Sequence, residues 1–386
     1  MANRPLSVLL VSAAAIAAAP AHAGATLAAY YTGEVLHNAD GGIRSGGAYL
    51  SDAGVTVDVD LTDLFGGTDA NFFAYFLWNN SSTFSDRYSG DAQVVSNIDA
   101  EQALRVYELW YQQRLSRDVT LRFGLYDLNS EFDAIGTARL FLNSSHGIGA
   151  EYAQSGRAGP SIFPVTSLAA RLDWTINNGG TLRYAILDGV PGDPNDPSRT
   201  TIDLGGADGV LHALEYNYER GSGPRFGFGG WLYSGDFDRI DPQPGTTRDD
   251  GNGGLYAFVD TPLYSSASGV QISGFLRYGV ANDDLNVFES YLGAGAVATG
   301  LIPTRPDDRL GIALASARTG EPFDRASGGA NRHETIIELT YSTRIRDWLR
   351  VQPDIQYVIH PGVDPTLDSA LVFGLRFELT ASHEWQ

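Results

Sequence analysis

The sequence has no cysteine and no lysine, and its one methionine is the first residue. Without cysteine there is no disulfide framework, no thiolate nucleophile and no thiolate metal site. A fold lacking such staples must be held by other means, and a closed barrel qualifies because each of its strands is paired on both sides. Past residue 24 there is no run of about 20 apolar residues, so this part of the chain cannot cross a membrane as helices. What remains is a periplasmic protein, a secreted protein or an outer-membrane barrel. No glycine-rich phosphate loop stands between a strand and a helix. The seven histidines are scattered, so neither a metal nor a cofactor is expected. Basic residues are few: 26 arginines against 46 acidic residues leave a formal charge of −20. Phosphate backbones would be repelled, which excludes nucleic acid as a partner.

The N-terminus carries an address. Arg4 precedes an apolar run from Leu6 to Ala19, and Ala21-His22-Ala23 supplies an Ala-x-Ala cleavage site. The run is short for a membrane anchor and the cleavage site follows at once. Residues 1–23 are therefore expected to be a signal peptide, and residues 24–386 a single barrel domain.

The prevailing hydropathy period is two. Val119, Leu121, Phe123 and Leu125 alternate with Thr120, Arg122, Gly124 and Tyr126. Leu168, Ala170, Leu172, Trp174 and Ile176 alternate with Ser167, Ala169, Arg171, Asp173 and Thr175. Leu371, Phe373, Leu375 and Phe377 do the same against Val372, Gly374, Arg376 and Glu378. A soluble sandwich would also alternate. Here the polar face holds charges in mid-strand and the apolar face ends in aromatics, as expected where one side meets lipid and the other water. About 16 such segments fit the length at roughly 10 residues each plus connections. They run near 26–37, 48–61, 70–80, 103–116, 118–126, 167–177, 180–188 and 210–219, then 225–234, 253–263, 269–280, 285–299, 308–317, 333–345, 348–360 and 369–380. The fold class is thus all-β: a transmembrane antiparallel barrel with short periplasmic turns and long external loops, in the outer membrane. Short turns are read at 115–118, 177–180 and 344–347, and longer connections at 189–208, 235–252, 318–332 and 361–368. Segment 127–166 lacks alternation and reads as a long loop, part of it turned into the lumen. Acidic stretches such as 191–197 and 248–251 suit external loops near lipopolysaccharide and its bridging divalent ions. The pattern admits a homo-oligomer.

Several segments in order along the chain resemble the carbohydrate-selective porin (OprB) family. These include Ser96-Asn97-Ile98-Asp99-Ala100, Tyr107-Glu108-Leu109-Trp110-Tyr111-Gln112-Gln113, Arg122-x-Gly124, and Phe141-Leu142-Asn143-Ser144-Ser145-x-Gly147. Pro303-x-Arg305-Pro306-Asp307-Asp308 and Gln352-Pro353-Asp354-Ile355-Gln356-Tyr357 are the most specific. The resemblance implies a 16-stranded barrel and passive diffusion of glucose and similar sugars. A general diffusion porin without sugar preference is the competing reading.

A sugar-favouring pore should offer charged and amide groups to hydroxyls, with aromatic faces beside them. By strand parity the inner wall includes Glu108, Trp110, Gln112, Arg122, Arg171, Asp173, Arg183 and Glu215, and further on Arg277, Glu338, Gln352, Asp354, Gln356 and Arg376. Both signs are present, with no ladder of basic groups of the kind an anion pore needs. Asn143, Ser144 and His146 invite an enzymatic reading. A triad, however, is assembled by the fold around an oriented base, and these three are neighbours in sequence. The chain is read as a channel and not an enzyme.

Overall fold

The computed structural model describes residues 24–385 apart from 81–82, 178, 197–198, 203–208 and 330. The expected signal peptide, residues 1–23, lies outside the described residues. Sixteen strands close into one antiparallel barrel in which each strand pairs with its sequence neighbours. They are β1 (Ala25–Gly42), β2 (Gly46–Asp60), β3 (Ala70–Asn80), β4 (Ala103–Arg114), β5 (Val119–Tyr126), β6 (Ser167–Asn177), β7 (Gly180–Asp188) and β8 (Val210–Glu219), followed by β9 (Arg225–Gln243), β10 (Thr246–Ser265), β11 (Gln271–Ala281), β12 (Phe288–Thr299), β13 (Arg309–Thr319), β14 (His333–Arg346), β15 (Leu349–Ile359) and β16 (Asp368–Trp385). β1 pairs antiparallel with β16 from Ala25 opposite Trp385 to Gly42 opposite Asp368, which seals the seam. No described helix is long and apolar enough to cross a membrane.

The alternation sorts side chains as the sequence implies. Val35, Phe123, Leu214, Phe228, Leu276, Ile312 and Leu375 are exposed on the outer face, where hydrocarbon replaces water. Trp174, Phe226, Tyr264, Trp348 and Trp385 stand exposed near the rim that carries the chain ends and the short turns. Amphipathic rings favour that depth.

Two connections differ from the sequence reading. Residues 235–252, rich in Pro, Gly and Asp, were expected to form a loop. They instead extend β9 and β10 into a long hairpin whose paired residues run out to Gln243 opposite Thr246. Arg248–Asp238 at 2.8 Å and Arg239–Asp249 at 2.7 Å bind across it. Turn-forming composition is tolerated there because cross-strand pairs fix the register. The turn expected at 344–347 falls slightly later, since β14 continues to Arg346.

Segment 127–166 enters the barrel. It holds three single-turn helices and the short α1 (Ala150–Ala153). Its apolar side chains, among them Phe132, Leu140, Phe141 and Tyr152, pack on inward residues of the wall such as Trp231, Tyr256 and Phe275. A second segment, 83–102, also turns inward and packs Phe84, Val95 and Ile98 against Leu36, Ile336, Val358 and Val372. The interior of the barrel is therefore a packed core on one side with open spaces beside it.

Candidate functional site

Every inner-wall residue singled out from parity lies on the inner face. Parity did not tell which of them meet water and which meet loop backbone. Glu338 takes the backbone N–H groups of Leu142 (2.6 Å) and Asn143 (3.0 Å). Glu215 accepts from the Asp133 N–H at 2.7 Å and the Tyr256 hydroxyl at 2.7 Å. Gln352 and Gln356 donate to the carbonyls of Leu140 and Val95, each at 2.7 Å. Arg277 binds Asp133 (2.7 Å) and Glu151 (2.6 Å), both in the inward loop. Arg376 donates to Glu34 and, at 3.2 Å, to Ser96 Oγ. These six residues were expected to face water and are instead buried against the two inward segments. A buried loop backbone must find partners, and carboxyl and amide groups of the wall supply them.

The segments also hold each other. Asn97 N–H donates to Leu142 O at 2.8 Å and Ser144 N–H to Val94 O at 3.0 Å. Asn143, Ser144 and His146, the residues with an enzymatic reading, serve this packing. The Asn143 side chain accepts from the Ser145 N–H at 3.0 Å. The His146 ring lies 5.0 Å from Phe141 and 5.9 Å from Phe275, and neither of its nitrogens has a hydrogen-bond partner. Burial pulls its pKa down to about 3.

On the β4–β7 side the polar groups converge around one loop carboxylate. Glu131 receives Arg171 through Nη2 (2.5 Å) and Nε (2.8 Å), with Arg122 at 3.4 Å and Arg183 at 3.9 Å. Burial would raise the Glu131 pKa, but Arg183, Arg171 and Arg122 outweigh it and hold the carboxyl down at about 2. Asp173 bridges Arg171 at 3.0 Å and Arg183 at 2.8 Å. Arg122 also donates twice to Gln112 Oε1, at 2.9 and 3.1 Å, and lies 3.8 Å above the Trp110 ring. The other face of Trp110 is stacked on Phe73 at 4.9 Å, and its indole N–H reaches Glu108 at 3.2 Å. Gly124 makes this possible. Its φ is +142°, and a Cβ there would stand 2.1 Å from Leu109 O and 2.6 Å from Trp110 Cα.

Two spaces flank this cluster. A chamber of about 580 Å³ lies between β1–β4 and the inward segments, lined by Tyr30, Asp52, Tyr75, Tyr107 and Asp127 among others. A second, of about 290 Å³, is lined by Asp60, Asp69, Asn71, Gln112 and Arg114 toward the rim of short turns. Gln112 lines the second space and Arg122 bonds to Gln112, so the cluster borders that space.

Residues 44–380 match the family described as "Carbohydrate-selective porin, OprB family". The chain belongs to that family. It is 23% identical over 394 residues to Porin B of Pseudomonas aeruginosa, covering 90% of this chain and 86% of that protein. The high-pH structure of Pseudomonas putida OprB superposes with a TM-score of 0.80 at 19% identity, over 93% of this chain and 94% of that one. The outer-membrane channel DcaP of Acinetobacter baumannii shares the fold with a TM-score of 0.60 at 9% identity, over 94% of this chain and 99% of that one. Family and barrel together make this an outer-membrane channel of the OprB type.

Sequence reading missed the second inward segment and the part Glu131 plays. Ser96-Asn97-Ile98-Asp99 stood out only as a motif, without a location. Glu131 sits outside the alternating segments, so parity gave it no side to face. One available signal was the excess of arginine on β5–β7, which calls for a carboxylate from elsewhere.

Proposed function

We propose that the chain is a passive channel for small neutral sugars of the glucose type. The observation that carries this reading is the cluster of Arg122, Arg171 and Arg183 around Glu131, bordered by Gln112 and Glu108 and set beside an aromatic wall. Guanidinium forks donate in fixed directions and carboxylates accept. A sugar hydroxyl does both, so a ring of mixed groups can replace its hydration shell in passing. Because Glu131 and Asp173 offset most of the arginine charge, a neutral solute is not disfavoured against ions.

In this reading Gln112 and Arg122 contact the solute, while Arg171 and Glu108, expected to face water but buried, position them. Trp110 is sandwiched between Phe73 and Arg122 and keeps the guanidinium aimed. Glu215, Arg277, Glu338, Gln352, Gln356 and Arg376 act indirectly, by holding the inward segments that set the bore. Residues 1–23 would direct export and be removed after Ala23, which N-terminal sequencing of the membrane form can check.

The deciding experiment is swelling of liposomes containing the purified protein. Glucose should enter faster than a neutral amino acid of similar size. Equal rates would leave a general diffusion porin as the function.

A further inference from the structure

The 580 Å³ chamber has buried hydrogen-bond acceptors left over and, among the described residues, no cationic side chain to meet them. Its lining includes Asp52, Asp99 and Asp127, and among the described residues no arginine or histidine. Of the four amide side chains in the lining, three have their N–H groups engaged with backbone carbonyls. Gln93 Nε2 donates to Glu334 O at 3.2 Å, and Gln154 Nε2 to Ala92 O at 2.8 Å. Asn129 Nδ2 donates to Phe132 O at 3.0 Å and Gly147 O at 2.9 Å. The Tyr30 hydroxyl donates to Asp52 Oδ2 at 2.8 Å and lies 2.5 Å from the Tyr75 hydroxyl.

The acceptors are not matched in the same way. Asp52 is 4% exposed and Gln93 1%. Asp52 Oδ1, Gln93 Oε1 and Asp99 Oδ1 are buried with no hydrogen-bond donor. Arg376, the cation whose charge reaches Asp52, is itself bound to Glu34. A neutral hydroxyl brings one donor and two lone pairs that need donors of their own, whereas an ammonium brings three donors and no acceptor. The chamber matches the second better, and its carboxylates add attraction that solvent only partly screens. Tyr30, Tyr75 and Tyr107 offer apolar ring faces beside those acceptors, as the carbon face of a sugar requires.

We infer that this chamber is a station for protonated amino sugars, which the channel admits ahead of neutral hexoses and well ahead of sugar carboxylates. This rests on the sugar-channel reading above and names a solute class within it. The order along the passage follows: an amino sugar is collected in the acidic, tyrosine-lined chamber and then passes the arginine–glutamate cluster, where its hydroxyls are handled.

The test is tracer uptake into proteoliposomes at neutral pH in 0.1 M salt, so that the solute itself sets up no diffusion potential. The panel is glucose, glucosamine, N-acetylglucosamine and glucuronate. Glucosamine should enter about threefold faster than glucose, the size of effect a partly screened ion pair supports, and glucuronate slower than glucose. Asp52→Asn and Asp99→Asn should each bring the glucosamine-to-glucose ratio toward one. N-acetylglucosamine, which lacks the charge, should show no advantage. If glucose enters but glucosamine is no faster, the station is disproved while the sugar channel stands. A ratio that stays high in both variants also disproves it, because the charge preference would then come from elsewhere. If neither glucose nor glucosamine outpaces a neutral amino acid of similar size, both readings fall together. Should Asp52→Asn fail to give a folded barrel, the native ratio and Asp99→Asn decide.

Discussion

Glu34 and Arg376 face each other across the seam that closes the barrel, with Arg376 Nε and Nη2 donating to Glu34 Oε2 at 2.9 and 2.5 Å. They sit at matched positions of the first and last strands. Ser96, from an inward segment, donates to the same glutamate oxygen at 2.9 Å. One buried charge pair thus ties together the barrel closure and the plug.

Removing one partner should therefore cost more than removing both. Arg376→Ala leaves Glu34 charged, buried and unpaired, which costs about 3–5 kcal/mol. A double replacement of Glu34 and Arg376 by apolar residues of similar size should recover most of that loss. Thermal unfolding in detergent measures both. An Arg376→Ala protein that melts like the native one would show that water reaches Glu34.

Glu338→Ala tests how the long inward loop is held. The change strips the Leu142 and Asn143 N–H groups of their acceptor. Leaving a buried N–H unsatisfied costs about 1–3 kcal/mol, so the loop should lift from the wall on a measurable fraction of occasions. Single-channel recordings should show larger or noisier conductance, and sugars bigger than a monosaccharide should begin to pass. Unchanged conductance and sieving would mean that the apolar contacts of Phe141 and Leu140 suffice to seat it.

His146 gives the plug a pH dependence whose sign follows from its burial. Seated, the imidazole has a pKa near 3; in a lifted loop it would return to about 6.5. The lifted state binds more protons between those values, so the seated state loses stability as pH falls from about 6.5 to about 3 and no further below that. Asp133 and Arg277 border the same pocket and pair with each other at 2.7 Å. Channel noise should rise across this window in the native protein. His146→Phe, which fills a site between Phe141 and Phe275 without a titratable group, should flatten the rise. Glu151 of the same segment, whose pKa burial raises to about 6, acts in the opposite sense, so an identical rise in the variant would assign it to carboxylates held low, Glu131 among them.

The outer face allows a simpler check of register. Leu375 is 48% exposed beside the inward Arg376. If it meets the membrane midplane, Leu375→Arg should cost about 2–4 kcal/mol. Folding titrations in bilayers give the value, and a neutral result would move this stretch of β16 out of the hydrocarbon.

The strands were legible because their period is two and each is amphipathic along its whole length. β6, β7 and β8 fall where alternation put them. The β9–β10 extension was not legible, since Asp, Gly and Pro between residues 235 and 252 carry a loop composition, and only the partner strand reveals the pairing. The site was legible by side but not by depth. Alternation placed Glu338 and Gln356 inward. It could not show that the carbonyls and N–H groups of residues 94–97 and 140–143 stand in front of them, because a loop's entry into the bore is set by contacts distant in sequence. Arg122 and Gln112 were placed on the inner wall by the same rule, and both stay partly exposed although Glu131 of the inward loop reaches Arg122.

The wall grips its inserted segments mostly by their main chain: Glu338, Glu215, Gln352 and Gln356 all bind N–H or carbonyl groups. Main-chain handles are the same whatever residue carries them. Substitutions at the tip of either segment can therefore change what the channel prefers without unseating the segment. A lineage of such proteins could drift from one nutrient to another through a few loop replacements while the cylinder and its clamps stay as they are.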